Sequence, residues 1–123
     1  MPYPVSKSRF EQLVEQALAE VPPPFNVYLE EITIEIRDRP TRKDLRGLDR
    51  GESLLGLYHG RPRTERHLED VAFPDVILIF QRNIEAVCDS EQELIQEVRM
   101  TVLHEIGHHF GMSEEDLDEL GYG

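Results

Sequence analysis

The chain has 123 residues, one cysteine (Cys88) and 25 acidic against 13 basic side chains, for a net charge of −12. This length suits a single domain over residues 1–123 built around one core. The negative balance excludes a general nucleic-acid binder, which needs a basic footprint, and the longest apolar run, "DVILIF", is too short to cross a membrane. The opening residues, "MPYPVSKSRFEQL", contain no basic stretch followed by an apolar one. With a lone cysteine no internal disulfide can form, and a cytoplasmic protein of bacterial type is expected.

In chain order, "SKSRFEQLVEQALAEV" predicts an amphipathic helix with Phe10, Leu13, Val14, Ala17, Leu18 and Val21 on one face. Ser8 and Glu11 have the spacing of a capping box, and Pro22, Pro23 and Pro24 end the helix. "EITIEIRD" alternates, with Ile32, Ile34 and Ile36 on one side, as a half-buried strand does. A charged loop over 38–53 follows. Nine of the basic residues fall between Arg37 and Arg66 against five acidic ones, which makes this a solvated loop region or a basic lip beside a site. "LLGLYHG" predicts a short strand with Tyr58 and His59, and "DVILIF", apolar on both faces, a central strand. Ser90 and Glu93 form a second capping-box pattern and start a helix that runs to about Phe110. Leu94, Val98, Val102, Leu103, Ile106 and Phe110 cover one half of it. "SEEDLDEL" predicts a short terminal helix or turn. The result is an α+β domain in which a small twisted sheet packs with an N-terminal helix and a C-terminal one.

The chemistry concentrates in "TVLHEIGHHFGMSEEDL", residues 101–117. His104 and His108 stand one helical turn apart, just outside the apolar half, and can grip one ion from the same side. Zinc in hydrolases takes three protein ligands and leaves one position open to water. Glu105 lies between the imidazoles and the apolar face, where a carboxylate can take a proton from water on the metal. A third ligand from a distant second helix is disfavoured, because only 15 residues follow His108. Gly111 can end the helix and reverse the chain. In the extended pattern HExxHxxGxxH the last ligand position falls on Glu114, and a carboxylate is an acceptable zinc ligand.

"VRMTVLHEIGHHFGMSEEDLDELG" resembles the signature of the small bacterial zincin-like metallopeptidases, or minimal metalloproteases. "GLYHGRPRTER" is similar to their glycine-leucine-tyrosine segment, and "DVILIFQRNIE" to their last strand and its exit. The resemblance covers most of residues 54–121. It implies a zincin-like minimal domain, zinc held at His104, His108 and an acidic third residue, Glu105 as the base, and a peptide or protein substrate. The third residue is matched by Glu114, with Asp116 as its competitor, since the family more often carries aspartate at the Glu114 position. A zinc-binding interaction module of the same fold, without general proteolysis, is the alternative.

Other residues carry weaker expectations. Tyr58 offers a phenol that can stabilise an oxyanion or wall a cleft. The backbone around Gly56 and Tyr58 can pair with an extended peptide. His109 points about 100° away from His108 and so is expected to pack or face solvent. His59 and His67 lie in or near polar loops, and Cys88 reads as a small apolar filler.

Overall fold

The computed structural model of the chain describes residues 2–23, 25–44, 54–59 and 75–109, together with Glu115 and Glu119. Helix α1 (Lys7–Ala19) leads to a single turn, α2 (Phe25–Tyr28), and a 3-10 turn, Leu29–Glu31. Strands β1 (Ile32–Arg37), β2 (Gly56–His59) and β3 (Asp75–Phe80) follow, then α3 (Gln81–Ala86) and α4 (Glu91–His109). None of the described helices is long and apolar enough to cross a membrane.

The strands form one sheet in the order β1-β3-β2, with β1 parallel and β2 antiparallel to β3. The doubly apolar "DVILIF" therefore occupies the centre, as expected of a strand buried on both faces. Its residues divide by parity. Ile77 and Ile79 join the main core, whereas Leu78 and Phe80 make a smaller cluster with Leu54 on the other face. The alternation expected of β1 also holds, with Ile32, Ile34 and Ile36 half-buried between exposed Thr33, Glu35 and Arg37.

The main core lies between the sheet and the two long helices. Phe10, Leu13, Val14 and Ala17 of α1 meet Leu94, Val98, Val102, Leu103 and Ile106 of α4. Each of these side chains larger than alanine, taken fully out of water, contributes about 1.5–3 kcal/mol. By contrast, the Arg9–Glu91 pair that ties the two helix starts together, at 2.8 and 2.6 Å, lies in solvent and is screened. Apolar packing thus fixes the helix pair, and the ion pair sets its alignment.

Two local readings change. The N-cap of α1 is Ser6, two residues before the Ser8 and Glu11 pattern, and its hydroxyl accepts from the Arg9 N–H at 3.1 Å. Where the sequence predicted only the exit from a strand, Gln81–Ala86 forms helix α3, buried through Gln81, Ile84 and Glu85. Ser90 and Glu93 cap α4 as their spacing predicts, although the carboxylate reaches the residue before the cap. Ser90 Oγ accepts from the Glu93 N–H at 3.2 Å, while the Glu93 carboxylate accepts from the Asp89 N–H at 3.2 Å. Cys88 is buried, as a filler should be.

Candidate active site

Helix α4 carries the motif. Its phase is fixed by Leu94, Val98, Val102, Leu103 and Ile106, all with no exposed surface. That phase leaves His104 and Glu105 half-buried at the margin of the helix–sheet contact, with Thr101 buried one turn earlier. The backbone remains helical through His108 and His109. The His108 position is therefore one turn beyond His104, about 6 Å along the axis and on the same flank. His109 stands about 100° further round, as the sequence spacing requires.

Glu105 is the electrostatic anomaly of this helix. Burial pushes its carboxyl up from 4.5 to about 7. No cation or hydrogen-bond donor among the described residues offsets that desolvation, which disfavours the charged form. A carboxyl in this condition changes protonation near neutral pH, as a general base must.

The edge strand β2 lies against this flank. A Cβ placed on Gly56 would stand 2.5 Å from the Thr101 Cγ2 and 3.0 Å from the Leu78 carbonyl oxygen. The absence of a side chain is what lets α4 sit so close to β2. Two residues on, and on the same face of the sheet, the Tyr58 hydroxyl donates to Asp75 Oδ2 at 2.9 Å. Asp75 is 3% exposed, a buried carboxylate at the first position of the central strand. Sequence reading passed over Asp75. An acidic residue directly before an apolar run was the only signal for it, and β2–β3 register was needed to pair it with Tyr58.

The expected third ligands, Glu114 and Asp116, lie outside the described residues, as do Gly111 and His67. Among the described residues no three of His, Cys, Asp and Glu gather as a metal site. The residue types along the helix suit zinc in kind: His104 and the His108 position stand one helical turn apart, beside a half-buried carboxyl that no cation among the described residues offsets.

A family model described as zincin-like metallopeptidase matches residues 29–123. Among solved structures, the chain is similar to a conserved hypothetical protein from Thermo thermophilus, at 27% identity and a TM-score of 0.54. The match covers 94% of this chain and 97% of that one, so the two share a fold over nearly their whole lengths. No curated protein matches the chain. The matched region takes in the 3-10 turn, all three strands, α3 and α4, so the mixed α+β architecture and the motif helix fall within one family: the chain belongs to the zincin-like metallopeptidases.

Proposed function

We infer that this protein is a zinc-dependent peptidase in which Glu105 is the general base. The observation that carries the reading is the position and state of that carboxyl. It lies on α4 next to His104 and is held near neutrality by burial that a nearby dication would offset. His104 and His108 would hold the zinc, with Glu114 as third ligand and Asp116 as its alternative. Zinc, when bound, supplies Lewis acidity that polarises a carbonyl and acidifies water. Glu105 takes the proton from the attacking water. As the C–N bond breaks, it passes that proton to the departing amine, which leaves two peptide products and a regenerated carboxylate.

The substrate proposed is an extended peptide. Among the described strands β2 is at the sheet edge, bonded to β3 alone, and an edge strand can take a further strand through its backbone groups. Gly56 brings this edge against the motif helix, so a peptide lying along β2 would pass the His104 flank.

The test is cleavage of a diverse peptide library by zinc-loaded protein, by Glu105→Gln and by His104→Ala, with zinc measured by native mass spectrometry. Cleavage that falls at least about 100-fold in Glu105→Gln while zinc is retained supports the reading. Loss of zinc in His104→Ala supports the ligand assignment. Zinc uptake without cleavage by the unmodified protein would replace the peptidase with a zinc-binding interaction module.

A further inference from the structure

Strand β1 forms the edge of the sheet opposite to β2. It bonds to β3 alone, and among the described residues no strand lies beyond it. Register fixes which of its backbone groups face outward. The Phe80 N–H donates to the Leu55 carbonyl at 3.0 Å, so Phe80, and with it Leu78 and Val76, turn their backbone groups toward β2. Asp75, Ile77 and Ile79 therefore turn theirs toward β1, where they meet Thr33, Glu35 and Arg37. Ile32, Ile34 and Ile36 are left with N–H and C=O groups directed away from the sheet. The Leu29 carbonyl takes the Ile32 N–H. The other outward groups have no backbone partner among the described residues.

An edge of this kind invites another strand unless it is guarded, commonly by proline, by a bulge or by charges that repel a copy. β1 is a regular strand without proline. Its three isoleucines, all on the core face, are only half-buried. The charges on its other face run from acid to base, with Glu31 and Glu35 before Arg37, and Glu35 and Arg37 already attract each other at 3.2 Å. A strand charged in that order complements itself when a second copy is turned antiparallel.

We propose that β1 pairs antiparallel with β1 of a second copy of this chain, about a two-fold axis at Ile34, to give a continuous sheet of three strands from each copy. In this register the two Ile34 residues exchange N–H···O bonds, and the Ile36 N–H of each copy reaches the Ile32 carbonyl of the other. Ile32 lies opposite Ile36, so the half-exposed isoleucine rows cover one another along the core face. On the other face Arg37 stands opposite Glu31 of the other copy, and Thr33 opposite Glu35. Moving the axis by one residue sets Glu35 against Glu31 in one direction and against its own counterpart in the other. Like charges thus disfavour both neighbouring registers. The contact is isologous and closes on itself, as a two-fold interface must. The β2 edge, proposed to take substrate, lies on the far side of the sheet and stays open.

The test uses the full chain in chelator, so that zinc cannot bridge copies. Sedimentation equilibrium is run from about 1 to 500 µM, which brackets a dissociation constant on the order of 50 µM expected of so short an interface. Arg37→Glu and Glu31→Arg should each weaken the dimer at least about tenfold, and the double variant should return it to within about threefold of the unmodified chain. Hydrogen exchange resolved by residue reads the strand directly. The Ile34 and Ile36 amides should gain protection as concentration rises, while those of Thr33, Glu35 and Arg37, turned toward β3, should be protected throughout. A monomer at every concentration overturns the proposal. So does a dimer in which the Ile34 and Ile36 amides exchange as fast as in dilute solution, because it forms elsewhere. Failure of the double variant to recover association overturns the register. No outcome depends on zinc or on hydrolysis, so the proposed activity stands or falls separately.

Discussion

Gly56 on the edge strand and Thr101 on the motif helix approach until no side chain fits between them: a Cβ at Gly56 would stand 2.5 Å from the Thr101 methyl. The Leu78 carbonyl oxygen, 3.0 Å from the same point, blocks escape toward the sheet. Gly56→Ala must therefore move α4, β2 or both, and overpacking of this kind costs about 1–3 kcal/mol. Thr101→Ser, which deletes the obstructing methyl, should recover much of that loss in the double variant. Urea unfolding of the four proteins measures the coupling. Additive effects would mean that the contact is not what makes glycine necessary at this position.

Glu105 gives a pH dependence with a definite sign. Its carboxyl is raised from 4.5 to about 7 in the fold, so between those values the folded chain holds more proton than the unfolded one. The contribution of this protonated carboxyl to the stability of the metal-free protein is accordingly fully present below pH 4.5. That contribution is lost as pH rises toward 7, and the full cost of the buried charge above that is about 3 kcal/mol. Glu105→Gln, measured in chelator, should unfold at higher urea than the unmodified protein at pH 8 and at the same urea at pH 4. Adding zinc should shrink the difference at pH 8, because a dication compensates the buried charge. A gain of equal size at both pH values would mean that burial of the charge is not its cause.

The parts of this molecule legible in sequence are those set by neighbours along the chain. The period of Leu94, Val98, Val102 and Ile106, the Ser90 and Glu93 box and the run "DVILIF" each carry their structural consequence within a few residues. The motif positions were legible for the same reason, since helical phase alone puts His104 and Glu105 at the edge of the apolar half. What stayed hidden depends on register between distant segments. Tyr58 meets Asp75 only because β2 pairs antiparallel with β3, with Tyr58 opposite Ile77. Helix α3 was missed because six mostly polar residues show no lasting period, and its buried carboxylate Glu85 finds a partner 80 positions away.

That carboxylate holds the N-terminal segment to α3. Glu85 Oε2 accepts from the Val5 N–H at 2.9 Å and from Gln81 Nε2 at 3.0 Å, while Oε1 accepts from Arg82 Nη1 at 2.8 Å. Gln81 Nε2 also reaches the Val5 carbonyl at 3.1 Å, and the Tyr3 N–H donates to the Glu85 carbonyl. Burial alone would raise the Glu85 pKa, but the donors outweigh it and hold the carboxyl below 4.5. The resulting stability is present above 4.5 and is lost as pH falls through the lower folded value. Glu85→Ala should cost about 2–3 kcal/mol at pH 7 and, in hydrogen exchange, remove protection from the Val5 amide. Retained protection would show that the segment is held by other contacts.

Tyr58 is where the structural and catalytic roles of one side chain can be separated. Its hydroxyl has one proton, and that proton goes to Asp75 Oδ2. To serve a developing oxyanion it would have to give up this bond, at a cost comparable with what it would contribute to the transition state. Tyr58→Phe is therefore expected to lower stability by about 1–2 kcal/mol. In zinc-loaded protein acting on a cleaved peptide, kcat should change by less than about threefold. Asp75→Asn tests the same bond from its other end, since an amide oxygen still accepts but without charge, and should cost less than Tyr58→Phe. A fall in kcat of about 100-fold in Tyr58→Phe, with KM and stability unchanged, would instead put the hydroxyl on the substrate, because only an interaction made in the transition state behaves that way.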